Sequence, residues 1–527
     1  MDSPILSSAQ MRDAENAAFA RGVEVEALMD QAGAGVARAI VKFFPRPGKC
    51  MVFVGKGHNA GDALVAAQCL RRRGWKTEVW LAFPESECSE LMRKKLDALR
   101  ATAPKVPDWT DQTDHDVGVV ILELFAYAAD SLTAKQGAIA AEAYLSTTSP
   151  IIILDGLLGL GARPPLRDPL RAACRCINQL RRKSGAYVFA VDLPTGLDGD
   201  SGKADSKSVV ADFTVTIGFA KPGLVADGAL DFVGRLEVVP LDELQPPKKK
   251  ANEIVACPPV LRELLSRRKY STYKNQCGRI GVVAGSKGFI GAALMTSQGA
   301  LRAGAGLVEV FVPEEIYPIV AAAALQEAMV KPVQSYRDLL KQKIDIWALG
   351  PGLGKTRAAE ILELIEKAKQ PMVVDADGLN ILADEISTLK RCNGERLVTP
   401  HPGEMKRLFP GKRQSRATTA TKFCNRFSVT LLLKGSRTIV AERHRPLSYN
   451  TTGNPGMASG GMGDVLTGVC AGLGGQGLSL YDSARVGAWV CGRAAEIAIF
   501  RGGQSEQSLL ARDVLDHLGA AFNDLAF

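Results

Sequence analysis

Several things are scarce or missing in this 527-residue chain, and each absence removes a class of protein. Its eleven cysteines are spread along the whole length without paired CxxC spacing. That argues against a disulfide framework or a zinc ribbon and fits a reducing compartment, with the cytoplasm as the default location. No segment approaches the roughly eighteen uncharged apolar residues that a membrane span needs. Residues 1–15 carry acidic side chains and no apolar core of signal-peptide length, so the expectation is a chain that is neither membrane-spanning nor exported. Long blocks of like charge are missing too. The formal net charge is +9, yet the longest basic runs are Arg71-Arg72-Arg73 and Lys248-Lys249-Lys250, read as a solvated helix end and a linker. No nucleic-acid partner is expected. No internal repeat or low-complexity tract is visible.

What is present is ordinary globular sequence, 46% hydrophobic and 23% charged, long enough for two or three domains. Short continuous apolar runs alternate with helical patterns. In the first half they are 51–54, 117–122, 151–154 and 187–191, and in the second 280–284, 307–312, 344–349, 372–374, 397–398 and 430–433. Alternation of this kind predicts α/β architecture with parallel sheets covered by helices. Around Gln245-Pro246-Pro247 the pattern breaks, which places a boundary near residue 245 and predicts domains over 1–245 and 246–527. The second domain is expected to end in helical, alanine-rich sequence over 483–500.

Ligands of open α/β sheets sit at the carboxyl ends of strands, so polar and glycine residues directly after an apolar run deserve the closest reading. In the second half, 280–284 runs into Gly285-Ser286-Lys287-Gly288 and then Gly291-Ala292-Ala293. The next run meets Gly350-Pro351-Gly352-Leu353-Gly354. Val374 is followed by Asp375-Ala376-Asp377-Gly378-Leu379-Asn380, Val398 by Thr399-Pro400-His401-Pro402-Gly403-Glu404, and Leu433 by Lys434-Gly435-Ser436-Arg437-Thr438. Singly, each is compatible with a plain turn; together they converge on one sheet edge. A lone histidine is more often structural, but His401 lies between two prolines that would present it at a fixed position. Ser459-Gly460-Gly461-Met462-Gly463-Asp464 then opens an apolar run. Bare N–H groups there suit an anion at a helix start, and Asp464 is placed to take a proton from an attacking hydroxyl.

In the first half, Val54 leads into Gly55-Lys56-Gly57-His58-Asn59-Ala60-Gly61-Asp62, a glycine-rich turn expected to precede a helix over 63–73. Further strand ends carry Asp155 and Asp192 with Thr195. Asn59, Asp155, Asp192 and Thr195 are all oxygen donors, a set that suits a hard cation rather than zinc. The alternative is a group of helix N-caps, a role that Asn, Asp and Thr fill routinely.

GS…GAA, LGPGLG, VDADGLN, TPHPGE, LLKGS and GGMGDVLTG, in that order over roughly residues 250–527, resemble the ribokinase-fold NAD(P)H-hydrate dehydratase family. Residues 1 to about 245 resemble the NAD(P)H-hydrate epimerase family, from 11–15 and 28–33 to the strand at 211–216. The resemblance implies a Rossmann-like three-layer α/β/α epimerase domain followed by a ribokinase-like α/β domain. The implied activity is repair of hydrated nicotinamide nucleotides. The first domain would interconvert the (6R) and (6S) hydrates, and the second would dehydrate the S form to NAD(P)H, phosphorylating the 6-hydroxyl from ADP and releasing AMP and phosphate. ATP is the alternative nucleotide, and a ribokinase-class small-molecule kinase with a non-catalytic N-terminal binding module is the alternative function.

By position, the resemblance places Ala292, Gly352, His401 and Asp464 at the hydrated cofactor, with Asp464 as base, and gives Lys434, Gly435, Ser436, Arg437, Thr438 and Gly463 to the nucleotide. In the epimerase domain it assigns Lys56, Gly57, His58, Asn59, Ala60, Gly61, Asp62, Gly159, Leu160, Gly161, Ala162 and Arg163 to the substrate pocket. Asp192 would bind substrate and act as acid or base, and Asn59, Asp155 and Thr195 would hold potassium. Magnesium is expected with the nucleotide, and a homo-oligomer, a tetramer, is implied. Two departures stand out. The family's NNGGDG loop reads His58-Asn59-Ala60-Gly61-Asp62-Ala63 here, and Thr195 stands where serine is common. If either alanine position demanded positive φ, its methyl would cost about 1 kcal/mol or more.

Overall fold

The structure, a computed structural model, describes residues 3–102, 120–123, 149–161, 164–247, 250–412 and 414–526. The chain divides into two compact units, Pro4–Lys250 and Ala251–Phe527, with Met1–Ser3 counted in the second. All eleven cysteines are free, and among the described residues no helix is long and apolar enough to cross a membrane.

The first unit is built on a seven-stranded sheet. Its order across the sheet is Val120–Glu123, Lys76–Leu81, Lys49–Val54, Ile151–Gly156, Tyr187–Val191, Phe213–Ile217 and Arg235–Val239, every neighbouring pair parallel. The apolar runs form strands because both faces are covered: 50–54, 152–156 and 188–191 are buried throughout. Helix Leu170–Ser184 lays Ala173, Cys174, Ile177 and Leu180 against Met51, Phe53, Ile153, Val188 and Ala190. Helix His58–Arg71 covers the other face, with Ala63 directly over Gly156, where an added Cβ would lie 2.5 Å from the Ala63 methyl carbon. The strand expected over 117–122 is described from 120, its earlier residues lying outside the described ones.

One expectation is corrected here. The helix after the glycine-rich turn begins at His58 and not at residue 63, with Gly57 as its N-cap. The segment from His58 to Asp62 therefore forms the first helical turn. With alanine at two of the places usually held by glycine, the chain has fewer reasons to stay out of a helix there.

The second unit carries an eleven-stranded sheet. Seven adjacent strands are parallel: Ala328–Val333, Leu307–Pro313, Arg279–Val283, Ile346–Leu349, Met372–Val374, Arg396–Val398 and Thr430–Leu433. Ile439–Ala441 then pairs antiparallel with Thr430–Leu433. Helix Met462–Gly475 packs along helix Ile290–Arg302 so closely that a Cβ on Gly468 would sit 2.0 Å from the Thr296 carbonyl oxygen. No larger residue permits that approach, which fixes the N-termini of both helices beside the strand ends. The alanine-rich helix runs over Leu480–Phe500, and a further helix, Ala511–Ala526, follows it where the sequence reading named none.

Candidate functional sites

In the second unit, the loops after the central strands are tied to one another. Gly285 N–H donates to the Pro351 carbonyl at 2.8 Å, Lys434 N–H to the Pro400 carbonyl at 2.9 Å, and the Ser286 hydroxyl to the Gly352 carbonyl at 2.7 Å. Gly352 sits at φ +63°, and a Cβ there would come within 2.8 Å of the Phe289 Cβ and 2.9 Å of the Ala292 Cβ. Gly352 and Ala292 are thus brought together. His401 is exposed and is itself the N-cap of helix Pro402–Leu408. Its Nδ1 accepts from the N–H groups of Gly403 at 3.0 Å and Glu404 at 3.4 Å, while the Glu404 carboxylate accepts from the His401 N–H at 2.8 Å. The flanking Pro402 occupies the first helical position, where its missing N–H costs nothing.

The electrostatic centre is a residue the sequence reading placed in a motif but gave no role. Asp375 is 1% exposed at the end of strand Met372–Val374. Its Oδ1 accepts from Lys434 Nζ at 2.6 Å and its Oδ2 from the Thr467 hydroxyl at 2.8 Å. A Cβ on Gly463 would lie 3.2 Å from Asp375 Oδ2 and 3.3 Å from Lys434 Nζ, so the bare glycine leaves a cradle over this ion pair. Asp464 follows in the first turn of helix Met462–Gly475, whose cap Gly461 is left-handed at φ +87°. Burial, and then the neighbouring charge of Asp375, push its carboxyl up to about 7, with Lys434 opposing. Burial works against the Lys434 ammonium, but Asp375 and Glu404 outweigh it and hold it above the ordinary lysine range. Glu404 is likewise pushed up by burial.

Ser436 and Arg437 are held by Arg416, whose guanidinium donates to the Ser436 carbonyl at 2.8 Å and the Arg437 carbonyl at 3.0 Å. The Thr438 hydroxyl donates to the Gly435 carbonyl at 3.0 Å, closing the loop on itself. Arg437 adopts φ +60° and Ala376, after Asp375, φ +46°. Such backbone is uncommon outside glycine and gathers at functional sites.

In the first unit, Asp155 is fully buried. Its carboxylate accepts from the Thr195 N–H at 2.8 Å, the Thr195 hydroxyl at 2.7 Å and the Leu157 N–H at 3.3 Å. Burial nevertheless raises it to about 6, the Thr195 bonds opposing. The Thr195 hydroxyl accepts from the Leu158 N–H at 3.1 Å. Asn59 lies in the first turn of its helix rather than at the cap, with a sealed Nδ2 that has no acceptor among the described residues. Gly159 passes beside it, an added Cβ there falling 3.3 Å from Asn59 Oδ1. The N-cap alternative therefore fails for both Asn59 and Asp155, the latter being inside strand Ile151–Gly156. Among the described residues no group of three or more His, Cys, Asp or Glu side chains is disposed to hold a metal ion.

Asp192 adopts φ +66°. Its Oδ1 accepts from Lys221 Nζ at 2.5 Å, the Ile217 N–H at 3.1 Å and the Thr216 hydroxyl at 3.2 Å. Lys221 was missed by the sequence reading; the only signal was its place just past the strand at 211–216. Asp62 is held well above the ordinary carboxylate range by burial, then by Asp192 and Glu15. Glu15 is raised by burial and by Asp192. Lys56, Gly57 and His58 are exposed, and in the neighbouring strand-end loop Leu160 is half-buried and Gly161 exposed. Ala162 and Arg163, also expected in the pocket, lie outside the described residues.

The family model described as NAD(P)H-hydrate dehydratase matches residues 280–516. That of the YjeF-related protein N-terminus matches residues 25–223. The chain is 33% identical over 529 residues to the bifunctional NAD(P)H-hydrate repair enzyme Nnr of Moorella thermoacetica, covering 94% of this chain and 92% of that one. It is 33% identical over 491 residues to the same-named protein of Gloeobacter violaceus, covering 89% and 88%. Among solved structures, the ADP/ATP-dependent NAD(P)H-hydrate dehydratase of Bacillus subtilis, co-crystallised with ATP and Mg2+, is 26% identical. It covers 52% of this chain and 100% of its own at a TM-score of 0.46.

Proposed function

The chain belongs to the bifunctional NAD(P)H-hydrate repair enzymes, and on that premise we propose how its two sites divide the work. The C-terminal unit dehydrates the S hydrate of NADH or NADPH at the expense of ADP. Hydroxide is a poor leaving group and phosphate a good one, so the 6-hydroxyl is phosphorylated first. Asp464 takes the hydroxyl proton as that oxygen attacks the terminal phosphorus; the bond to AMP breaks, and AMP departs with its electron pair. The C6–O bond then breaks, phosphate leaves, and the neighbouring ring carbon loses a proton to form the double bond. A single arrangement carries this reading: the Asp464 carboxyl, pushed up to about 7 by burial, lies beside a glycine cradle and the Asp375–Lys434 ion pair. A base poised near 7 is suited to proton abstraction at physiological pH.

Gly463 with Lys434, Gly435, Ser436, Arg437 and Thr438 holds the nucleotide phosphates through N–H groups and the Lys434 cation. Ala292, Gly352 and His401 line the hydrate. Magnesium, when bound with the nucleotide, neutralises charge on the transferring phosphoryl group. In the N-terminal unit Asp192 exchanges a proton with the 6-hydroxyl during epimerisation, beside the strand-end segments of residues 56–62 and 159–161. Asn59, Asp155 and Thr195 offer amide, carboxylate and hydroxyl oxygens to potassium, a donor set that fits a hard monovalent ion. Held by these oxygens, a potassium ion would supply positive charge to the site. The assembly is a homo-tetramer, to be checked by light scattering.

The test supplies the S hydrate with ADP or ATP and magnesium and identifies every product. Equal amounts of reduced cofactor, AMP and phosphate from ADP support the reading. Accumulation of a stable phosphorylated alcohol overturns it in favour of a small-molecule kinase.

A further inference from the structure

The epimerase reading above leaves one buried charge without a task, and the following rests on that reading. Lys221 is completely buried, immediately ahead of the short helix Pro222–Val225. Its ammonium has three protons, and three acceptors surround it: Asp192 Oδ1 at 2.5 Å, the Thr216 hydroxyl at 3.0 Å and the Ile217 carbonyl at 3.1 Å. The two latter groups sit on the strand end whose own donors, the Thr216 hydroxyl and the Ile217 N–H, also reach Asp192 Oδ1. Among the described residues, every hydrogen bond made by the Asp192 carboxylate therefore falls on one oxygen. Oδ2 takes none from a described residue, and it is not among the sealed unpartnered atoms of the unit.

We propose that Lys221 is a positioning residue for epimerisation. It clamps Asp192 by Oδ1, with Thr216 as the bridge, so that Oδ2 alone is presented to the substrate hydroxyl. Two further carboxyl groups border the cluster, Glu15 and Asp62, both raised by burial and by the charge of Asp192. Lys221 bonds to neither. The clamp selects one carboxylate of three and fixes its rotation, at a residue whose φ of +66° already holds the backbone in an uncommon conformation. Being sealed from solvent, Lys221 cannot itself meet the substrate, so its effect passes through Asp192. In the chemical step, Oδ2 accepts the 6-hydroxyl proton as C6–O becomes a carbonyl and the C6–N1 bond breaks, N1 keeping the electron pair and taking that proton. N1 then adds to the other face of the carbonyl, the proton returns through Oδ2 to the oxygen, and the protein is unchanged.

The experiment measures epimerisation kcat and KM for the full-length chain, with the rate of dehydration of pure S hydrate as a control on the other unit. Lys221→Met is expected to lower kcat by about 100-fold or more, with KM within about threefold of the parent. Asp192→Asn is expected to do the same, and the double variant to be no slower than Asp192→Asn, because groups acting as a unit are not additive. Parent kcat in Lys221→Met, or a double variant slower than Asp192→Asn by the full Lys221→Met factor, overturns the inference. Removing one member of a buried pair can unfold a protein. If Lys221→Met loses its folded transition, the nearly isosteric Thr216→Val, which deletes the bridging hydroxyl but no charge, carries the test. A fall in kcat at constant KM supports the clamp, and parent kinetics overturn it. Parent kinetics in Asp192→Asn would instead sink the epimerase reading of that residue, so the two failures are distinguishable.

Discussion

At the scale of single residues, Asp464 shows how environment alone moves a common carboxyl towards neutrality. Burial and the Asp375 charge lift its carboxyl from an ordinary value to about 7. Dehydration is therefore expected to rise as pH increases through 7 and to level off above it, and Asp464→Asn to lose at least about 100-fold in rate. The stability effect has the opposite sense. A carboxyl whose folded pKa exceeds its unfolded one favours the fold only while protonated, so its charge increasingly opposes folding between the ordinary carboxylate range and about 7. Asp464→Asn should therefore raise the melting temperature of its unit at pH 8, with a smaller gain at pH 5. Asp375→Asn removes the second cause of the upward shift, so the pH–rate midpoint should move down. It also strips Lys434 of its closest partner, at 2.6 Å, so the KM for ADP should rise. A pH–rate profile with the nucleotide varied checks both effects.

The next scale is the element, where the sequence was most and least readable. Apolar runs marked the strands well because parallel strands are buried on both faces, and strand ends located most of the site motifs. The first helical turn at His58–Asp62 is hidden in the sequence because glycine and asparagine commonly punctuate turns. Neither Ala60 nor Ala63 adopts positive φ; both are helical and fully buried, so the replaced glycines bring no backbone strain. Gly156 supplies the room, lying against the Ala63 methyl. Ala63→Gly is thus expected to lower stability by about 1 kcal/mol, measured by denaturant unfolding, while epimerisation proceeds at the parent rate. Lys221 and Thr467 were illegible for a different reason. Each acts on a carboxylate distant in sequence, across 29 residues for Lys221–Asp192 and 92 for Thr467–Asp375, and no local pattern encodes such a pairing.

Over the whole molecule, two units with separate sheets and separate strand-end sites share one chain. A dehydratase that accepts one epimer strands the other, and an epimerase on the same chain returns it to use. Asp192→Ala should accordingly leave dehydration of the S hydrate intact while recovery of the R hydrate falls to the spontaneous rate, as seen in biphasic progress curves. The most direct measurement supplies an epimeric mixture of hydrated NADH with ADP and magnesium and follows the absorbance of regenerated dihydronicotinamide. Complete recovery by the parent protein, with only the spontaneous background in Asp464→Asn, is the predicted result. Failure of the parent to regenerate NADH with either ADP or ATP, or undiminished turnover in Asp464→Asn, would contradict it.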